Sequence, residues 1–435
     1  MTSVAEVRRD VVEPWGSTRT VRVALAGCGA VGSALLRALD ARQDALARRF
    51  GRRVEITRVL VRDLGKQRAA DLDHALLTTR LDDFLASEPD VVIEAIGGLD
   101  PARRIAEWAL CNGRELVTAN KELLAAHGTA LHALARQHGG TLRYDAAVGG
   151  GVPVLRLLDD ALGAGTPSRV RGILNGTTNY VLGRLERGCS LDDALVAARD
   201  AGFAEADASR DLDGRDAAAK IALVAWAAYG VAPESLDVGR RSLLPDPARY
   251  VRLAQRVGGV VRQVAECALT GSSLAASVEP VIVSPASALG RVRDEQNHVE
   301  VDTGWSAPLT ASGPGAGGAP TATALLADFV CTARPPVRDG VAGCGPDLRT
   351  SDWAIEVVGA PRLLHRAVPK CGLVYTDHAA TRAWTVARGL AAAEVDRVLA
   401  ELRAQGGDAI AARLDETLFG DGRDLASSAA RELVS

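Results

Sequence analysis

An α/β protein organised around a parallel sheet is what this sequence predicts, and three observations carry the prediction. Short β-branched runs alternate with helical periods through the first third of the chain. These runs lack strict apolar–polar alternation, as strands buried on both faces do. A glycine cluster, Gly27 to Gly32, follows the first run and opens the first helical period. With 435 residues and 47% hydrophobic content, the chain is long enough for two or three domains with buried cores.

Residues 1–20 form an N-terminal extension with charges and Trp15 but no apolar stretch of the secretory kind. Within 21–148, strands are expected at Val21–Ala26, Val54–Val61, Val91–Ile96, Glu115–Thr118 and Thr141–Tyr144, with one helix over Ser33–Phe50. From Gly149 the texture changes to a second, α+β domain over 149–309, with a strand at Val170–Leu174 and helices at Leu191–Ala201 and Asp216–Tyr229. A glycine-rich loop, 313–320, precedes a helix at Thr321–Val330, and residues 310–333 complete the first domain. Residues 334–351, dense in Pro and Gly, read as a linker. Beyond it, over 352–435, come strand Trp353–Val358, helix Arg362–Ala367, strands Gly372–Tyr375 and Ala383–Ala387, helix Ala392–Gln405 and strand Ala409–Leu414. That βαββαβ order is ferredoxin-like.

Charge and composition exclude several functions. The net charge is −3, from 51 basic against 54 acidic residues that are interspersed, which argues against a nucleic-acid surface. The longest apolar stretch, ending before Pro233, falls short of the roughly 20 residues a bilayer requires, so no membrane segment is expected and the cytoplasm is the default location. Seven cysteines and seven histidines show no metal-ligand spacing, so reduced thiols are expected and a zinc hydrolase is not. Only four basic residues are lysine: Lys66, Lys121, Lys220 and Lys370. Arginine stays protonated, whereas a desolvated lysine can lose its proton and serve as an acid or base.

Gly27-Cys28-Gly29-Ala30-Val31-Gly32 matches the G-x-G-x-x-G fingerprint of a Rossmann-type domain in its required strand-to-helix setting. Gly27, Gly29 and Gly32, with the first-turn N–H groups of Ala30 and Val31, are therefore candidates for a dinucleotide's pyrophosphate. At the end of the second strand Arg62 and Asp63 are adjacent and Lys66 and Arg68 follow; an acidic residue there suits a ribose hydroxyl and a basic cluster a 2′-phosphate, so NADP(H) is favoured with NAD(H) as the alternative. Lys121 falls at the carboxyl edge of the sheet, where open α/β folds bind ligands. Asp216 and Lys220 are four apart on one helix, in apolar surroundings and after an acidic run that includes Glu205, Asp207, Asp211 and Asp213. That spacing suits either a surface ion pair or a partly buried lysine positioned by a carboxylate.

Taken together, these motifs resemble the homoserine dehydrogenase family from about Val21 to Val330. Beside the glycine fingerprint stand Val117–Lys121 with Leu123-Leu124-Ala125, Tyr144–Pro153, Gly172–Tyr180, Gly202–Asp207 leading to Asp216–Lys220, and Gly313–Gly317 with Pro320-Thr321-Ala322. The resemblance implies NAD(P)-linked interconversion of L-homoserine and L-aspartate 4-semialdehyde, on the route to threonine, isoleucine and methionine. It makes Lys220 the proton donor and acceptor and places Lys121 at the cofactor and substrate junction. Glu205 and Asp216 contact substrate, Gly202 lies near substrate or cofactor, and Gly317 approaches the nicotinamide. The chemistry fits, because hydride addition to an aldehyde builds negative charge on oxygen, and an ammonium of lowered pKa can stabilise that charge and deliver a proton.

Two positions depart from the family pattern. Asp145 stands where the family usually has a glutamate that, with backbone carbonyls, holds sodium; carried over, the ligands are Asp145 and the carbonyls of Val148, Gly150 and Val152. Long members end in an ACT domain, often threonine-sensing, but its Asp-x-Pro-Gly-Val-Leu turn is replaced here by Gly359-Ala360-Pro361-Arg362-Leu363-Leu364. A divergent ACT-like module and a purely structural one both fit. The resemblance also implies a homodimer or homotetramer. Two other readings keep the nucleotide fold: a reductase of another amino-acid semialdehyde, and a catalytically silent nucleotide-binding regulator.

Overall fold

The computed structural model describes residues 19–68, 72–163, 165–331, 343–344, 349–368, 375–376 and 381–418. Most of the N-terminal extension, most of the linker, Lys370 and the expected strand residues 372–374 lie outside the described residues.

Six parallel strands build the first domain: β1 (Arg19–Ala26), β2 (Arg52–Leu60), β3 (Leu77–Thr78), β4 (Val91–Glu94), β5 (Glu115–Thr118) and β6 (Thr141–Arg143). Their order, β3-β2-β1-β4-β5-β6, is doubly wound, with the reversal between β1 and β4. Val23, Leu25, Val59, Ile93 and Val117 are fully or almost fully buried, which accounts for the missing alternation. The helices are α1 (Ala30–Asp40), α2 (Gln43–Phe50), α3 (Leu81–Leu85), α4 (Ala102–Cys111) and α5 (Lys121–His138).

The single helix expected over Ser33–Phe50 is broken after Asp40. A tertiary contact accompanies the break: Gln43 exchanges two hydrogen bonds with the Val54 backbone, at 2.9 and 3.0 Å, on a stretch of β2 that β3 leaves unpaired. Strand β4 stops two residues before the expected Ile96, because the Glu94 carboxylate accepts the Ile96 and Gly97 N–H groups at 2.8 and 3.2 Å.

In the second domain the chain runs through α6 (Val154–Leu162), β7 (Arg169–Ile173), α7 (Gly176–Glu186), α8 (Leu191–Asp200), α9 (Ser209–Leu212) and α10 (Arg215–Tyr229). It continues with β8 (Val238–Arg240), α11 (Pro247–Arg256), β9 (Val260–Thr270), β10 (Ser273–Val283), β11 (Gln296–Asp302) and β12 (Leu309–Pro314). The antiparallel order β12-β11-β7-β9-β10 gives a sheet on which the helices pack. Helix α12 (Gly318–Val330) then returns to the first domain, where Arg52 donates to the Phe329 carbonyl at 2.6 Å and lies over the Phe329 ring.

After β13 (Gly343–Cys344), the last module comprises β14 (Thr350–Val358), α13 (Leu364–Ala367), β15 (Tyr375–Thr376), β16 (Arg382–Ala391), α14 (Ala392–Ala404) and β17 (Asp408–Leu414). Its strands order as β17-β14-β16-β15, all antiparallel, which is the fourth-first-third-second order of a ferredoxin-like sheet. Strand β17 also pairs with β10, so module and second domain share one mixed sheet of eleven strands among the described residues. One sheet face packs on α14; the other shares a core with α7, α8 and α11 through Ala354, Trp384 and Ala412. Buried ion pairs close the seam, among them Arg249 with Glu356 at 2.7 Å and Arg171 with Asp415 at 2.6 Å.

Candidate active site

Two helix starts from different domains converge on one carboxylate. Lys121 is the first residue of α5, and its place is fixed by Asn120, whose side chain caps the Leu123 N–H at 3.0 Å and donates to the Gly98 carbonyl at 2.7 Å. Asp216 lies in the first turn of α10 with Lys220 one turn on, and Gly214, at φ +83°, turns the chain into that helix. Lys121 Nζ is 3.1 Å from Asp216 Oδ1, and Lys220 Nζ is 2.9 Å from Oδ2. The spacing therefore makes the expected pair, but not a surface one: the Lys220 side chain is only 12% exposed. Lys220 also donates to the Leu174 carbonyl at 2.8 Å, leaving one of its three N–H groups for another acceptor.

The electrostatics follow from this crowding. Burial alone would push the Asp216 carboxyl up; the charges of Lys220 and Lys121, with hydrogen bonds from Lys220 and Asn175, outweigh it and hold the carboxyl well below the usual range. Burial likewise pulls the Lys121 ammonium down, yet the adjacent Asp216 carboxylate prevails and raises it. Asp211 is raised, mainly by burial, with the Asn175 hydrogen bond opposing and Asp216 adding to the rise.

Around this triad lies a cavity of about 400 Å³, lined by Lys121, Asp216 and Lys220, by Asn175 and Asp211, and on the far wall by Gly315 to Gly317. Glu205 also lines it, exposed and with no ion pair or hydrogen bond among the described residues. Gly202 lies off the wall; at φ +76° it turns the chain after α8 toward Phe203 and Glu205, which do line the cavity. Sequence reasoning gave no role to Asn175, Thr177 or Arg210, which line it too. Asn175 was legible only as part of the Gly172–Tyr180 motif, since its contacts come from chain segments about 40 residues away.

The glycine fingerprint forms a cradle that side chains would fill. A Cβ on Gly27, at φ +99°, would stand 2.5 Å from the Ala95 carbonyl oxygen, and one on Gly32 would stand 2.1 Å from the Gly27 carbonyl oxygen. Gly29 caps α1 and faces open space, and the first intrahelical bond is Ser33 N–H to Gly29 O, so Ala30, Val31 and Gly32 have no N–H partner within the helix. The residues fit a pyrophosphate. A Cβ on Gly318 would lie 2.9 Å from the Ala30 carbonyl oxygen, so the cradle adjoins the Gly317 wall of the cavity. Arg62 lies two residues beyond β2, exposed and without a partner among the described residues, whereas Arg68 folds back onto the Asp63 and Lys66 carbonyls.

Asp145 is buried below the cavity floor, where Val148 and Gly150 are lining residues and Val152 is buried. Its Oδ1 accepts the Leu155 N–H at 2.9 Å; its Oδ2 has no hydrogen bond and lies 3.2 Å from Arg156. Arg156 is shared with the buried Asp328 at 3.2 Å, so two carboxylates face one guanidinium. Burial raises both carboxyls, and Asp145 adds to the rise of Asp328. Because Oδ2 accepts no hydrogen bond, it is the oxygen Asp145 would offer a monovalent cation, in place of its ion pair with Arg156.

A family model described as homoserine dehydrogenase matches residues 153–330, and one described as homoserine dehydrogenase, NAD binding domain, matches residues 27–145. Homoserine dehydrogenase of Bacillus subtilis is 35% identical over 327 residues, 75% of each chain. The crystal structure of a homoserine dehydrogenase from Thiobacillus denitrificans superposes with a TM-score of 0.81 at 27% identity, over 92% of this chain and 99% of that one, and so extends past residue 330, where the family models end. A hyperthermophilic archaeal homoserine dehydrogenase in complex with NADPH shares the fold, with a TM-score of 0.60 at 24% identity over 72% of this chain and 97% of that one.

Proposed function

Since this chain belongs to the homoserine dehydrogenase family and is a nicotinamide-dependent oxidoreductase, we propose how its residues divide the work of interconverting L-homoserine and L-aspartate 4-semialdehyde. Lys220 is the proton donor and acceptor at the substrate oxygen. Two of its N–H groups are held by Asp216 and Leu174, so the third meets the aldehyde oxygen and its proton passes to the alkoxide as charge builds. In the oxidative direction the same nitrogen takes that proton back. A nicotinamide cofactor, its pyrophosphate held by Gly27, Gly29 and Gly32 with the N–H groups of Ala30 and Val31, would supply or accept the hydride. Lys121, at the junction of the two domains, adds positive potential beside the reacting oxygen, and Gly317 shapes the wall next to it.

Glu205, with Asp216, receives the substrate's α-ammonium; the exposed Glu205 carboxylate, without a partner among the described residues, supports this assignment. Arg62, exposed just past β2 and without a partner among the described residues, supports NADP(H) over NAD(H). A sodium ion would be held by Asp145 with the Val148, Gly150 and Val152 carbonyls, fixing the cavity floor. A homodimer or homotetramer rests on the family resemblance.

One observation carries the proposal: ammonium groups from two domains meet a single buried carboxylate in the cavity beside the glycine cradle. Purified protein with L-homoserine and NADP is expected to generate reduced-cofactor absorbance, and Lys220→Ala to abolish it while circular dichroism stays unchanged. Wild-type protein inert with both nicotinamides in both directions refutes the reading.

A further inference from the structure

A side chain at the start of α7 touches the triad from outside it. Asn175 is 5% exposed, and each polar atom of its side chain is committed. Its Oδ1 accepts the Thr178 N–H at 2.8 Å and caps α7. Its Nδ2 donates to Asp211 Oδ1 at 2.7 Å and to Asp216 Oδ2 at 2.8 Å. The oxygen it holds on Asp216 is the one that holds Lys220. The preceding residue, Leu174, offers its carbonyl to the same ammonium.

We propose that Asn175 is the positioning residue of the site: one amide nitrogen clamps Asp211 and Asp216 together and so fixes the Lys220 ammonium. The inference rests on the proposed role of Lys220. The chemistry calls for a primary amide. A single nitrogen with two N–H groups bonds two carboxylates that would otherwise repel, while the oxygen on the same side chain caps the helix. Aspartate offers the cap but adds a third negative charge. Serine offers the cap but cannot reach both carboxylates. Without the clamp, Asp216 is free to turn toward Lys121, and Lys220 keeps only the Leu174 carbonyl.

The variants Asn175→Ser and Asn175→Asp preserve capping and separate it from positioning. Asn175→Ser is expected to lower kcat about ten- to a hundredfold, the size of one charge-assisted hydrogen bond, with the KM for the nicotinamide unchanged. The acid limb of the pH–rate profile is expected to move toward neutral by about one pH unit, because a carboxylate that loses a donor protonates more readily. Asn175→Asp should move it further. A second readout does not depend on turnover: with only four lysines in the chain, selective ¹³Cε-lysine labelling gives four assignable signals. Those of Lys121 and Lys220 are expected to shift in Asn175→Ser while that of Lys66, on an exposed loop, stays. Folded variants with wild-type kcat, pH profile and lysine shifts overturn the proposal. If wild-type protein is inert toward homoserine, the functional reading has failed, and the lysine shifts alone then decide: movement supports the clamp and no movement overturns it.

Discussion

Replacing Glu266 by glutamine tests how firmly the C-terminal module is locked to the second domain. Glu266, on β9, is 1% exposed, lies 3.3 Å from Arg413 of β17, and contacts Arg349 just before β14. Burial pushes its carboxyl up, but Arg413 and Arg349 outweigh burial and hold it at about 2, against an ordinary value of 4.5. That difference corresponds to about 3 kcal/mol of folding stability. Breaking a buried ion pair from one side costs about 3 to 5 kcal/mol by an independent route, and Arg413 keeps Glu279 at 3.0 Å, which favours the lower end. A depressed carboxyl stabilises the fold above its unfolded value and stops doing so as pH falls from 4.5 through about 2. Urea unfolding followed by circular dichroism should therefore place Glu266→Gln about 3 kcal/mol below wild type at pH 7, with the gap narrowing below 4.5. Because Glu266, Arg349 and Arg413 do not line the cavity, kcat of the folded variant should be unchanged. An unchanged midpoint at neutral pH, or a gap as wide in acid as at pH 7, refutes the reasoning.

Other expectations follow from the cofactor and cation sites. Gly27→Ala places a Cβ 2.5 Å from the Ala95 carbonyl oxygen at φ +99°, so titration calorimetry should find nucleotide binding lost, with a stability cost of about 1 to 3 kcal/mol. Arg62→Ala should raise the KM for NADP(H) about tenfold and leave that for NAD(H) unchanged; equal effects on both would remove Arg62 from the phosphate site. Thermal unfolding in sodium chloride should exceed that in tetramethylammonium chloride at equal ionic strength, and Asp145→Asn should erase the difference.

The first domain was legible because its physics is local. Strands buried on both faces advertise themselves by β-branched runs, and the fingerprint by a turn in which a side chain on Gly27 or Gly32 would strike the backbone. The hairpin of β9 and β10 was not legible. Its buried positions include Gln263 and the charged Arg262, Glu266 and Glu279, which Glu186, Arg349 and Arg413 match from distant segments, so its core face reads as polar. Within the site, the Asp216–Lys220 pair could be read from helical spacing, whereas the approach of Lys121 to Asp216 depends on how α5 packs against α10. Gly128 on α5 permits that packing: a Cβ there would stand 3.0 Å from the Trp226 ring. The clamp by Asn175 is longer-ranged still, and no spacing rule encodes it.

The central claim, that Lys220 moves the proton, is tested most directly by Lys220→Arg in a chain whose basic residues are otherwise almost all arginine. Arginine keeps the positive charge and the reach to Asp216 but does not give up a proton at neutral pH. With L-homoserine and NADP saturating, kcat is expected to fall by about 10² to 10⁴ while nucleotide affinity is retained. A variant that turns over within a fewfold of wild type would contradict the account.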